Sequence, residues 1–168
     1  MKNTVIKFGT YGLLVAVIFF LLALWLGKGM SYSSQETLGY VTMIASLSFI
    51  FLGIKHYRDK VNNGIISFGK AFVIGLLISA FVGLGIAIAD YLYTTVINPD
   101  FAIEYLETTL ETMKNTLSPE DFETKKAELI QQMKDYGGSG FMAFIMFVTV
   151  VLIGLIISLV SGLILQRK

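Results

Sequence analysis

Phe8–Gly27 is long enough to cross a bilayer without presenting a single charged side chain, and three further stretches of the chain do nearly the same. Thr37–Ile54 is uncharged, Ala71–Ala89 is uncharged up to Asp90, and Tyr136–Gln166 holds no ionisable group except Tyr136. A helix needs about 20 residues, at a rise of about 1.5 Å each, to cross the hydrocarbon. Inside lipid each backbone amide and carbonyl must be satisfied by protein, which leaves helices or closed barrels. No alternating strand pattern is present, so all four runs are read as helices. The expected fold is all-α. It is a polytopic four-helix bundle with spans at about 6–27, 37–55, 70–95 and 138–165, and an extracytoplasmic helical hairpin at 98–136 between the third and fourth. Residues 1–168 are expected to form a single membrane domain. Composition agrees, with charged residues at only 15% against about 25% in soluble domains.

The first run follows a basic start, Lys2 to Lys7, but its apolar stretch is too long for a secretion signal and no small-residue cleavage site follows Trp25. It is expected to be a retained helix. With the N-terminus in the cytoplasm, the inner segments hold Lys2, Lys7, Lys55, Arg58, Lys60, Lys70, Arg167 and Lys168, with Asp59 as their only acid. The outer segments hold Lys28, Lys114, Lys125, Lys126 and Lys134 among ten acids. Lysine and arginine close to span ends favour the cytoplasm. The expectation is a multi-pass protein of a bacterial inner membrane with both termini inside.

The loop KHYRDKVNNGIISFGK (55–70) contains the chain's only histidine and its densest positive charge. Lys55, His56, Arg58, Lys60 and Lys70 are read as an anchor in contact with lipid headgroups. A lone His with no second His, no Cys and no acid pair completes neither a metal site nor a catalytic triad. Asn62-Asn63-Gly64 supplies the positive-φ residues that stop a helix, and Ser67 is placed to cap the next one. The chain has no cysteine, which excludes disulfides and thiolate chemistry, and a net charge of +1 gives no basic field for nucleic acid.

These residues also carry a likeness. GIKHYRD at 53–59, NGIISFGKAF at 63–72, INPDF at 97–101 and the ending ISLVSGLILQRK at 157–168 resemble the domain of unknown function 4199 family. It is a family of four-span bacterial inner-membrane proteins. The resemblance covers nearly the whole chain and implies architecture and location. It implies no activity, cofactor or catalytic residue.

Within the spans, Gly75, Ser79, Gly83 and Ala87 recur every fourth residue, as do Gly154, Ser158 and Gly162. Such stripes let helix backbones approach closely where lipid supplies no hydrophobic drive. They mark helix contacts within one chain or between two copies. Asp90, beside Tyr91 and Tyr93, falls near the outer interface. There it is read as a wet interfacial acid, with an ion-coupling site as the alternative.

Residues 98–136 change character. Asn98-Pro99 and Ser118-Pro119 each look like an N-cap followed by proline, and Ser118 with Asp121 forms a capping-box pattern. Ile103, Leu106, Leu110, Met113 and Leu117 keep helical spacing, and Phe122, Leu129, Met133 and Tyr136 hold the same phase. The segment carries nine acids against four lysines, a net charge of −5. Glu104, Glu107 and Glu111 share a face and offer a surface to a partner. As carboxylates at helical spacing with no glycine-turn calcium loop, they are read as a solvated face and no metal or other cofactor is expected. The leading functional expectation is a non-enzymatic scaffold or accessory subunit. Its partners are the lipid bilayer and a membrane or periplasmic protein, with a homo-oligomer left open. The alternative is a small oligomeric transporter or channel.

Overall fold

The computed structural model describes residues 1–27, 30 and 32–167, leaving out the side chains of Tyr32 and Ser33. Lys28 and Lys168, which enter the charge count above, lie outside the described residues. The elements are α1 (Lys2–Leu26), α2 (Tyr32–His56), α3 (Phe68–Leu92), α4 (Phe101–Thr116), α5 (Pro119–Tyr136) and α6 (Ser139–Leu165). Five-residue π-helical turns, Tyr57–Val61 and Tyr93–Ile97, prolong α2 and α3. Among the described residues, four helical segments are long and apolar enough to cross a membrane: Lys2–Leu26, Ser34–Val61, Phe68–Ile97 and Ser139–Leu165.

The second segment runs six residues past the expected end at position 55, through the first basic residues of the loop. Lys and His in a last helical turn are favourable against the helix dipole, so they do not stop it. The stop comes at Asn63 (φ 51°) and Gly64 (φ 82°), the two positive-φ residues described. Asn62 secures the turn from both sides. Its amide nitrogen donates to the Tyr57 carbonyl at 3.0 Å, and its side chain donates to the Ile65 carbonyl at 2.6 Å. Ser67 immediately precedes α3, and its carbonyl accepts the Ala71 amide at 3.0 Å.

The chain divides into two compact units, Met1–Ala89 with Ile145–Lys168, and Asp90–Phe144. In the first, α1 packs on α2 and α3 meets all three of its neighbours. Half of the apolar window of α3 is buried, against 22% for α1 and for α6. Ile74, Ile78, Val82 and Ile86 of α3 are fully buried, as are Leu47, Ile50 and Ile54 of α2 and Val150 of α6.

Small residues set the spacing between α3 and α6. A Cβ added at Gly75 would lie 2.7 Å from the Ser158 Cβ, and one added at Gly154 would overlap Ser79. Farther along, a Cβ on Gly162 would touch the Ala71 Cβ at 3.7 Å, and one on Gly83 would sit 3.2 Å from the Phe147 carbonyl oxygen. From Ala71–Gly162 through Gly75–Ser158 to Ser79–Gly154 the partners advance by four on one helix as they retreat by four on the other, and Gly83 then meets Phe147, the order of an antiparallel pair. Ala87 is half-buried at the far end of that row. The Ser79 and Ser158 hydroxyls donate back to their own helix, to Leu76 at 2.8 Å and to Gly154 at 2.6 Å. They therefore bring small size to the seam, with their hydrogen bonds satisfied locally.

A second close approach joins α3 to α1 and α2. A Cβ on Gly85 would meet the Leu13 carbonyl oxygen at 2.7 Å, and one on Gly12 would meet Val82 at 2.7 Å. Gly9 faces Phe81 in the same way, and Gly53 of α2 faces Ile78 and Phe8.

These contacts set apart glycines that look alike in sequence. Gly154→Ala forces a methyl group into Ser79 and should destabilise the protein by about 1–3 kcal/mol, the usual cost of overpacking. Gly39, on α2, has nothing within 4 Å of an added Cβ. Gly39→Ala should then be neutral or stabilising by up to about 1 kcal/mol. Unfolding midpoints in one detergent measure both, and equal midpoints for the two variants would refute the close packing of α3 on α6.

Candidate functional site

Two places gather polar side chains, one in each unit. In the first unit the basic loop is tied to the end of α6. Arg58 donates to both carboxylate oxygens of Asp59, from Nε at 2.6 Å and from Nη2 at 3.1 Å. Its remaining nitrogen, Nη1, donates to the Leu165 carbonyl at 3.4 Å, one of the carbonyls that a helix end leaves open. Ile66 and Arg167 exchange two backbone hydrogen bonds, at 3.0 and 2.9 Å, forming an isolated antiparallel bridge. The loop between α2 and α3 is thus stapled to the end of α6 by side chain and backbone together.

His56 does not join that staple. Its ring packs on Phe8 of α1 with centroids 5.1 Å apart, and its Nδ1 is buried with no hydrogen-bond partner among the described residues. Lys55, Lys60 and Lys70 are exposed. The five basic residues of the loop therefore divide three ways: Arg58 is structural, His56 is packed against α1, and the three lysines are free at the surface.

In the second unit α4 and α5 pack against each other as a hairpin. Leu106, Leu110 and Met113 of α4 and Phe122, Leu129 and Met133 of α5 are half-buried. Ser118 caps α5 as its sequence implies, its Oγ accepting the Asp121 amide at 3.2 Å and donating to Asp121 Oδ2 at 2.6 Å. The start of α4 differs from expectation. Its first residue is Phe101, and its N-cap is Asp100, which makes no side-chain capping bond. Asn98 is already engaged: its amide nitrogen closes the π-turn on the Tyr93 carbonyl at 2.7 Å, and its side chain donates to Glu104 at 2.9 Å. The Asn-Pro pair ends one helix here before another can begin.

Glu104, Glu107 and Glu111 are all exposed. No group of three or more His, Cys, Asp or Glu that could hold a metal ion occurs among the described residues. Lys125 donates to Glu128 at 2.8 Å, and that hydrogen bond raises the pKa of the lysine above its ordinary value. Ile103 remains 58% exposed and Ile130 45% exposed, so the hairpin keeps apolar surface beside its acids.

A family model described as a protein of unknown function (DUF4199) matches residues 7–167, nearly the entire chain. The chain belongs to that family. No curated protein and no solved structure matches it. The DUF4199 match spans both units, so the basic staple and the acidic hairpin both fall within one family model.

Several residues that shape these sites in this DUF4199 protein escape a reading of the sequence. Leu165 and Arg167 meet the loop more than a hundred positions away, through main-chain atoms that leave no mark on residue type. The two π-turns did leave a signal: Tyr57 and Asn62, like Tyr93 and Asn98, stand five apart with the tyrosine buried and the asparagine amide bonded to its carbonyl.

Proposed function

We propose that this protein is a non-enzymatic membrane scaffold or accessory subunit that presents the α4–α5 hairpin to a protein partner. The observation that carries this reading is the hairpin itself, a helix pair whose second member is capped by Ser118, with three aligned glutamates and exposed isoleucines beside them. The residues best suited to surface chemistry support it from the other side. Arg58 and Asp59 are engaged with each other, and Arg58 also holds the end of α6. In this proposal the membrane is a bacterial inner membrane, both termini are cytoplasmic, and the four long helices form a bundle with the hairpin outside. The charge asymmetry of the loops supports that orientation.

A second reading, a small oligomeric transporter or channel, is favoured by Asp90. Its Oδ2 is buried without a hydrogen-bond partner among the described residues. An ionisable group so placed in an apolar helix marks a functional position more often than an accident.

Affinity purification of the full chain in mild detergent tests the scaffold reading. The wild-type protein should retain a defined partner in fixed ratio. The double variant Glu107→Lys, Glu111→Lys should lose it while keeping its melting temperature, since both side chains are exposed. The same proteins recovered with both forms would remove the hairpin from partner recognition.

Protease added to intact spheroplasts tests both the order of the hairpin and its side of the membrane. The wild-type hairpin should resist cleavage. Leu110→Asp puts a charge among half-buried apolar groups at a cost of about 1–3 kcal/mol and should be cut between positions 100 and 136. Rapid cutting of both would mean a disordered tether. A variant that is protected until the cells are lysed would reverse the orientation.

A further inference from the structure

Where α1 begins, a cavity of about 340 Å³ opens beside the end of α2, lined by Met1, Lys2, Asn3, Thr4 and Lys7 of the first helix and by His56 and Val61. We propose that this cavity binds the phosphate of an anionic phospholipid headgroup. The lining contains no carboxylate, so its two lysines are not neutralised within the site. Asp59, the acid of the neighbouring loop, has both oxygens occupied by Arg58. Asn3 and Thr4 add uncharged hydrogen-bonding groups. His56 brings a ring held against Phe8, with Nδ1 buried and unpartnered among the described residues. Its volume falls within the range of about 300–1,000 Å³ typical of small-ligand pockets.

The surface next to the cavity argues for a lipid over a soluble phosphate ester. Lys2 begins a row of exposed residues at four-residue spacing down α1, continued by Ile6, Thr10, Leu14, Ile18 and Leu22 and apolar but for Thr10. Residues four apart are neighbours on a helix, and such a row winds round it by about 40° at each step. An acyl chain following that row would leave its headgroup among Lys2, Lys7 and His56. This role differs from general anchoring by the basic loop, because Lys60 and Lys70 are exposed and do not line the cavity.

The test uses the full chain in detergent, analysed by native mass spectrometry with dioctanoyl phosphatidylglycerol, its phosphatidylcholine counterpart and glycerol 3-phosphate as separate probes. One phosphatidylglycerol should bind saturably and more tightly than either other probe. A lysine near an anionic lipid contributes about fivefold in affinity. Lys2→Gln with Lys7→Gln should therefore weaken phosphatidylglycerol binding by about fivefold per lysine, with the melting temperature unchanged because both side chains are exposed. Lys60→Gln with Lys70→Gln should leave it as it was. Equal weakening in both double variants would reduce the effect to diffuse surface charge and overturn the site. Glycerol 3-phosphate binding as tightly as the lipid would overturn the lipid assignment, and the absence of any saturable binding would overturn both.

Discussion

The near-contact of α3 and α6 is the constraint on which the first unit depends. In lipid, two apolar helices gain little by hiding from their surroundings, because the surroundings are equally apolar. What remains is dispersion, small for each atom pair and steeply dependent on distance. Gly75 against Ser158 and Ser79 against Gly154 bring the two backbones close enough for many such pairs to form. The same seam places Ile50 beside Gly75 and Leu47 beside Gly154, so the position of α2 follows from it. On another side of α3, Gly85 and Gly12 admit α1. A helix with small residues toward two partners can sit among three others, which accounts for α3 being the most buried of the four.

Much of this was legible in the sequence because the relevant signals are local. Uncharged runs long enough to span a membrane need no partner to be recognised, and a residue class recurring every fourth position marks a helix face. The capped start of α5 was readable for the same reason, since Ser118 and Asp121 lie within one turn. The features that escaped are those decided by something distant. Gly9, Gly12, Gly53 and Gly85 face bulky residues or main chain of other helices, so they form no stripe of their own. Asn98 has the residue type of a cap, but the preceding helix runs on through a π-turn and claims its amide. The basic loop was recognisable as the break between two apolar helices from its charges alone. That Arg58 is committed to Asp59 and Leu165 while His56 turns toward α1 depends on which helices meet there.

That division of the loop matters for function. Charges that look equivalent in sequence serve three purposes, and only those near α1 border a cavity. The hairpin presents the complementary case. Its fold uses the apolar residues at helical spacing and a single well-formed cap; Glu104 accepts from Asn98 and Glu128 from Lys125, while Glu107 and Glu111 stand exposed on α4. A surface whose charges the fold does not consume is available to a partner.

The α3–α6 seam can be tested directly because the chain has no cysteine of its own. The Ala71 Cβ and a Cβ built on Gly162 lie 3.7 Å apart, within the range of about 3.5–4.5 Å that a disulfide requires. Ala71→Cys with Gly162→Cys, oxidised in native membranes, should therefore give a disulfide within one chain. It would be seen by mass as the loss of two hydrogens from a species that remains monomeric. Two free thiols after oxidation would contradict the seam, and a covalent dimer as the sole product would place it between two copies of the chain.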